Sequence, residues 1–264
     1  MTDERIYDIK SLADLDGRIA FRTRIDTKTV SAFWKIYNDH AAYYGEVPKP
    51  FEEVSMDEVI PSLKRVPDED IYPLVPDGLT LTKAPLDTTS NPHLYIKRPA
   101  LCNYHDSDFH SVIRDIFLAE AQTLEQVSKA PHENIMAYHG CLLDDGRLKG
   151  IVLTCYKITL ADYVRSGDTP LDIDTVMTRL RSAVDHLHSL GLAHNDLNPH
   201  NIMLDENDAP IVIDLGSCQP AGGRLMSGGS VGWSKSTTVS VQEHDVLALG
   251  VIREWLVDPE SHIL

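Results

Sequence analysis

Four residues in the last third of the sequence combine side chains and spacings that suit group transfer to a hydroxyl. In GLAHNDLNPHNIMLDENDAPIVIDLGS, His194 and Asp196 are followed by Asn201, five residues beyond Asp196, and by Asp214 after a further apolar run. One carboxylate can orient an attacking hydroxyl. A second carboxylate and an amide oxygen can hold magnesium on nucleotide phosphates, which completes the set of groups that phosphoryl transfer uses. A lone Asp-Leu-Gly or His-x-Asp is ordinarily a turn or a cap. Here the order and the spacing carry the argument.

For these groups to converge, their flanking segments must fold in a definite way. DIDTVMTRLRSAVDHLHSLG places Val176, Leu180, Ala183, Leu187 and Leu190 on one helical face and stops at Gly191, so His194 and Asp196 fall just past a helix. NIMLD and PIVIDLG read as two apolar strands around Glu206, Asn207 and Asp208, a hairpin that carries Asn201 at its start and Asp214 at its end. Upstream, LYIKRP is a short strand-like run, and a helix pattern then extends through about Lys129. Ile113, Ile116, Leu124 and Val127 share one face of that helix with Glu120. IVLTCY (151–156) reads as a buried strand. Residues 1–47 contain no proline and 48–99 hold nine of the fifteen, so the latter stretch reads as loop-rich. Before it, SAFWKIYNDHAAYY has Phe33, Ile36 and Tyr37 at helical spacing and predicts a helix.

HNDLNPHN and DLG resemble the catalytic loop HRDxxxxN and the metal-binding turn DFG of the protein kinase superfamily. The resemblance extends over roughly residues 75–256. Lys97 in LYIK is similar to the phosphate-pairing lysine of VAIK, and Glu120 to its ion-pair partner on helix αC. HENIMAYHGC resembles the stretch after that helix. IVLTCY resembles the strand into the hinge, with Leu153 at the gatekeeper position and Thr154 to Tyr156 as the linker between lobes. EHDVLALGVIREWL resembles helix αF, with Asp245 in place of its buried aspartate. The resemblance implies an α+β, bilobal fold with a small β-rich N-lobe (about 75–153) and a helical C-lobe (about 157–264) that stops after αF, preceded by a family-specific extension over 1–74. It also implies ATP and Mg2+ as cofactors. Asp196 would be the catalytic base, and Asn201 and Asp214 the metal ligands. Lys97, Glu120, Leu153, Thr154, Tyr156, Asn201 and Asp214 would form the nucleotide site, with His194 supporting the loop.

Several positions depart from the family pattern. Upstream of Lys97, VPDGLTLTKAPLDTTSNPH has a single glycine where a glycine-rich flap is expected, so that flap is absent or rebuilt. Tyr95 replaces a small alanine on the same strand face as Lys97, where its phenol would crowd an adenine. Asn195 replaces the arginine that pairs with an activation-loop phosphate, and Asn198 replaces a lysine that meets the γ-phosphate. GGSVGWSKSTT (228–238) resembles the segment before APE, but no Ala-Pro-Glu follows, and the sequence stops at Leu264, soon after αF. Leu124, His194, Leu215 and Asp245 match the family's hydrophobic regulatory spine.

Composition narrows the partners. The 264 residues carry 24 Lys and Arg against 40 Asp and Glu, a net charge of −16, which disfavours a nonspecific grip on nucleic acid or anionic membrane. Cys102, Cys141, Cys155 and Cys218 lack metal-ligand spacing and read as reduced core thiols. His186 and His188 read as surface or packing groups. The charged start MTDERIYDIK is unlike a signal peptide, and no apolar run approaches a membrane span, so an intracellular, cytoplasmic protein is expected. The expected partners are a nucleotide and a protein substrate or binding partner, without nucleic acid or membrane; the oligomeric state stays open. Three functions fit: an ATP-dependent protein kinase of serine/threonine type with atypical or reduced activity, a pseudokinase scaffold, or a small-molecule phosphotransferase similar to aminoglycoside and choline kinases. Gly216 and the DVLALGV helix argue against the last.

Overall fold

Aromatic runs broken by turn-forming residues shape the first part of the chain. The computed structural model describes residues 4–22, 28–85, 88–167, 171–226, 229–230, 232–233 and 238–262. Residues 228, 231 and 234–237 of the GGSVGWSKSTT stretch therefore lie outside the described residues. The chain divides into two compact units, one formed by Met1–Pro76, Arg98–Asp115 and Leu143–Gly150, the other by Asp77–Lys97, Ile116–Leu142 and Ile151–Leu264. Strands predominate early and the long helices come later, so the fold class is α+β.

The first unit is built on an antiparallel sheet of β1 (Gly17–Arg22), β2 (Thr29–Ile36), β3 (Ala42–Val47) and β4 (Lys64–Arg65), paired in that order. It also holds the short helices α1 (Met56–Ser62) and α2 (Asp68–Ile71). The helix predicted over SAFWKIYNDHAAYY does not form; that stretch lies in the β2–β3 hairpin, with Trp34 opposite Tyr44 and Ile36 opposite Ala42. Its turn is held where Asp39 Oδ1 accepts the Ala41 N–H and His40 takes a φ of 70°. The misleading spacing has a physical origin. Ala32 and Ile36 pack with Ala42, Tyr44 and Tyr72 in one cluster, while Phe33 packs with Tyr43, Val47 and Val59 in another. A strand buried on both faces loses the alternation that distinguishes it from a helix.

The second unit carries the candidate site. β5 (Leu94–Lys97) pairs antiparallel with β7 (Arg147–Thr154), Lys97 opposite Ile151, and β6 (Tyr138–Asp144) completes that three-stranded sheet. Helix α3 (His110–Val127) buries Phe117, Glu120, Ala121 and Leu124 along one face, so a carboxylate sits in an otherwise apolar stripe. Upstream of β5, Lys83 forms a single parallel bridge to Cys141 of β6; among the described residues, 77–93 forms no strand hairpin of its own. After β8 (Ile158–Thr159) and α4 (Leu160–Ser166) comes α5 (Ile173–Ser189), which starts where the Asp172 carboxylate accepts the Thr175 N–H. It stops just before Gly191, whose φ of 76° breaks the helical path.

β9 (Leu192–Ala193) leads into the loop bearing Asp196. β10 (Ile202–Leu204) and β11 (Pro210–Val212) form the expected hairpin, Ile202 opposite Val212, with β8 on the outer side of β10. β12 (Gln219–Pro220) returns to pair with β9, and α6 (Gln242–Val257) packs on α5 and buries Asp245, Ala248, Leu249 and Ile252. The reading of all four cysteines as core thiols needs one correction: Cys141 and Cys218 are buried and Cys102 is half-buried, but Cys155 is exposed in the linker that follows β7. Among the described residues no helix is long and apolar enough to cross a membrane.

Candidate active site

Lys97 ends its strand with its ammonium group between two carboxylates. Nζ donates to Glu120 Oε1 at 2.6 Å and to Asp214 Oδ1 at 2.8 Å. Burial alone would depress the lysine, but the two anions outweigh it and hold Lys97 above its ordinary value. Burial raises Glu120, with the charge of Asp214 adding to it and Lys97 opposing it. Asp214, 43% exposed at its side chain, is lowered: its partial burial opposes ionisation, but Lys97 and the Gly216 N–H stabilise the carboxylate more strongly.

Asp214 adopts a left-handed conformation, φ 59°, and its Oδ1 caps the tight turn over Leu215–Ser217 by accepting the Gly216 N–H. Glycine at 216 has a steric reason. An added Cβ would lie 3.1 Å from Asp214 Oδ1, closer than an ordinary contact, while Glu120 Oε2 at 3.6 Å would be in ordinary contact with it.

The loop after β9 is held by side chains of its own. His194 Nε2 donates to Ile213 O (2.9 Å) while Nδ1 accepts the Asp196 N–H (3.3 Å), so the ring is the neutral Nε2–H tautomer and ties the loop to the residue before Asp214. Buried Asp245 of α6 accepts the backbone N–H groups of His194 and Asn195, each at 2.8 Å, and a further bond from His188 Nε2. Asn201 Nδ2 donates to Asp196 O (2.8 Å) and Oδ2 (3.0 Å), and Ile213 N donates to Asn201 O. With its Nδ2 committed to Asp196, the Asn201 side chain has Oδ1 available as an oxygen donor. Asp196 Oδ1 also accepts the Ser230 N–H at 2.6 Å.

Beside Lys97 and Asp214 lies a cavity of about 310 Å3. Met136, Leu153, Met203 and Ile213 supply apolar walls, and Tyr95, Thr154, Cys155 and Tyr156 complete its lining. Leu153 is buried, Thr154 Oγ1 meets His139 Nε2, and Tyr156 OH accepts the Ala137 N–H. In the linker, Thr154 N–H is spent on Ala137 O and Cys155 N–H on His93 O. Tyr95 does line the cavity with Lys97, yet it is 52% exposed, so its ring forms a wall toward solvent.

Every site residue read from the sequence lies in the second unit. Lys97, Glu120 and Asp214 meet directly, Asp196 meets Asn201, and Leu153, Thr154 and Tyr156 line the cavity with Lys97 and Asp214. The sequence reading missed Met136, Met203, Ile213 and Cys155 as lining residues. Ile213 and Met203 had a signal, since each lies within two residues of a candidate metal ligand on a hairpin strand. The contact of Ser230 with Asp196 had none.

The protein kinase domain family matches residues 100–250, more than half of the chain. The chain belongs to that family. The match spans Glu120, Asp196, Asn201, Asp214 and Asp245 but begins after Lys97, whose place in this kinase domain rests on the geometry. Similar proteins include the serine/threonine-protein kinase/endoribonuclease IRE2 of Homo sapiens, 32% identical over 165 residues (54% of this chain, 18% of that protein). The dual serine/threonine and tyrosine protein kinase of Gallus gallus is 33% identical over 110 residues (38% of this chain, 11% of that protein). The MAPK/MAK/MRK overlapping kinase of Mus musculus is 28% identical over 123 residues (45% and 28%). The kinase domain chain thus spans less than a third of each of these relatives.

Proposed function

We propose that this kinase domain is an ATP- and magnesium-dependent protein kinase acting on serine or threonine hydroxyls, with activity reduced by its departures from the family pattern. One observation carries the reading: Lys97 is bonded to both Glu120 and Asp214 at one end of an apolar cavity, so a cation is held in place for phosphates beside walls suited to a base.

The donor set fits magnesium. Asp214 and Asn201 offer hard oxygens, as suits an ion that takes one or two protein ligands together with phosphates and water. Bound there, magnesium would neutralise charge on the phosphates. Asp196, steadied by Asn201, would orient the acceptor hydroxyl and take up its proton.

A second reading is favoured by two features, the single bridge at Lys83 in place of a flap hairpin and the Ser230 N–H on the Asp196 carboxylate. Both suit a domain that binds nucleotide without turning it over. The test is a titration of ATP with and without magnesium, followed by radiolabelled ATP with mixed peptide acceptors. Magnesium-dependent binding with phosphate on serine or threonine supports the first reading, binding without transfer supports the second, and no binding overturns both.

A further inference from the structure

Asn195 is a buried side chain of the catalytic loop with partners outside that loop. It is 4% exposed and adopts φ 65°, a conformation that asparagine and glycine accept at little cost. Its Nδ2 donates to Ala193 O (2.8 Å), Ser217 O (3.0 Å) and Ser240 Oγ (3.1 Å), and its Oδ1 accepts the Val241 N–H (3.3 Å). Its own N–H donates to Asp245 Oδ1. One neutral amide therefore joins three segments: the backbone just before Asp196, the turn just after Asp214, and the start of α6.

We propose that Asn195 is a positioning residue that sets the separation of Asp196 and Asp214, acting through its bond to Ser217 O and its anchorage at 240–241. Asp214 sits three residues before Ser217 in a turn that it caps itself, so a clamp at Ser217 limits how far that turn, and the carboxylate with it, can swing. The Asp196 backbone is fixed from the other side, through the adjoining residue. Because the amide is spent on carbonyls and a hydroxyl, its clamp closes without an added charge. A phosphate brought to this point would find no donor left on Asn195.

The magnesium arm of the test rests on the function proposed above; the exchange arm does not. Asn195→Gly keeps the backbone conformation and deletes the clamp. By hydrogen-exchange mass spectrometry, peptides covering 214–218 and 240–241 should exchange about tenfold faster, the factor expected for one or two neutral hydrogen bonds, while peptides in α5 and β10–β11 keep their rates. The affinity for ATP without magnesium should be unchanged, and the gain on adding magnesium should fall about tenfold. Ser240→Ala, which keeps the Ser217 and Val241 bonds, should speed exchange at 240–241 alone and leave the 214–218 peptide and the magnesium gain within about twofold of the parent. Faster exchange spread evenly over the second unit would reveal a merely structural residue and overturn the proposal, as would an unchanged 214–218 peptide. If the parent shows no magnesium gain, the proposed function fails, and the exchange arm alone decides this inference. Should the glycine variant not fold, the unaltered protein supplies the measurement: Cys218 and Val241 amides should open together with one denaturant dependence, and separate dependences would overturn the clamp.

Discussion

Lys97→Met keeps the length and the apolar stem of the side chain and removes only the charge. In the parent the lysine side chain is 22% exposed and Glu120 2%, so the substitution leaves a buried carboxylate beside Asp214 without its counter-charge. Leaving a buried ion unpaired costs about 3–5 kcal/mol. Protonation limits that cost: holding Glu120 neutral at pH 7.5 takes about 1.4 kcal/mol per unit above an ordinary value near 4.3, or about 4 kcal/mol. Both routes give a loss of about 3–5 kcal/mol at pH 7.5. The sign with pH follows from the raised carboxylate. Its folded value lies above its unfolded one, so stability is fully present below the unfolded value and is lost as pH rises through the folded value. At pH 5.5 the protonation route costs only about 1.6 kcal/mol, and the deficit relative to the parent should shrink by about 3 kcal/mol. Urea unfolding of parent and variant at the two pH values measures this, and Lys97→Met with Glu120→Gln should recover most of the loss at pH 7.5. A deficit below about 1 kcal/mol at pH 7.5, or one that grows on acidification, would refute the buried-pair reasoning.

Asp214→Asn should abolish the magnesium gain in ATP affinity while changing stability by about 1 kcal/mol or less, because the side chain is 43% exposed and its ion pair is screened; calorimetric titration and thermal unfolding report the two effects. Since Asp214 is lowered, its metal-holding form is lost only as pH falls below the ordinary carboxylate range, so the gain in the parent should stay level from pH 8 to 5. Asp196→Ala should remove most phosphoryl transfer in a radiolabel assay and leave ATP affinity within about twofold; undiminished transfer would exclude Asp196 as the base. Tyr95→Ala should tighten ATP binding a few-fold by widening the cavity, and weaker binding would mean that the ring stacks on the base.

What was legible in the sequence followed from local rules. The Asp172 start and Gly191 stop of α5 are backbone requirements written in single residues, and the β10–β11 hairpin is written in two apolar runs around polar turn residues. Glu120 was legible through its register in the kinase resemblance, and its ion pair with Lys97 gives the buried acid on that apolar helical stripe its partner. The β2–β3 hairpin was not, because burial on both faces erased its periodicity. Neither was the clamp at Asn195. Its partners Ser217, Ser240 and Val241 lie 22 to 46 residues away, and nothing local distinguishes an amide that will be spent on distant carbonyls from one facing water.

Two of the three asparagines of HNDLNPHN, Asn195 and Asn198, act on the chemistry in one direction. Asn198, like Asn195, spends its amide on protein partners: Oδ1 accepts the His200 and Asn201 N–H groups, and Nδ2 donates to Asp196 O and Ser230 Oγ. A lysine in its place would reach outward as a second cation. With both positions neutral and His194 in its uncharged tautomer, Lys97 stands against Glu120, Asp214 and Asp196, and these four groups sum to a net charge of about −2 when all three acids are ionised. A polyphosphate entering alone meets that field as a like charge, whereas one that arrives with magnesium brings its own neutralisation. On the proposed reading, the loop thus trades electrostatic help for rigidity and makes the divalent cation responsible for most of the attraction. The ratio of ATP affinities with and without magnesium should therefore exceed that of an Asn198→Lys variant, and an equal ratio would break this account.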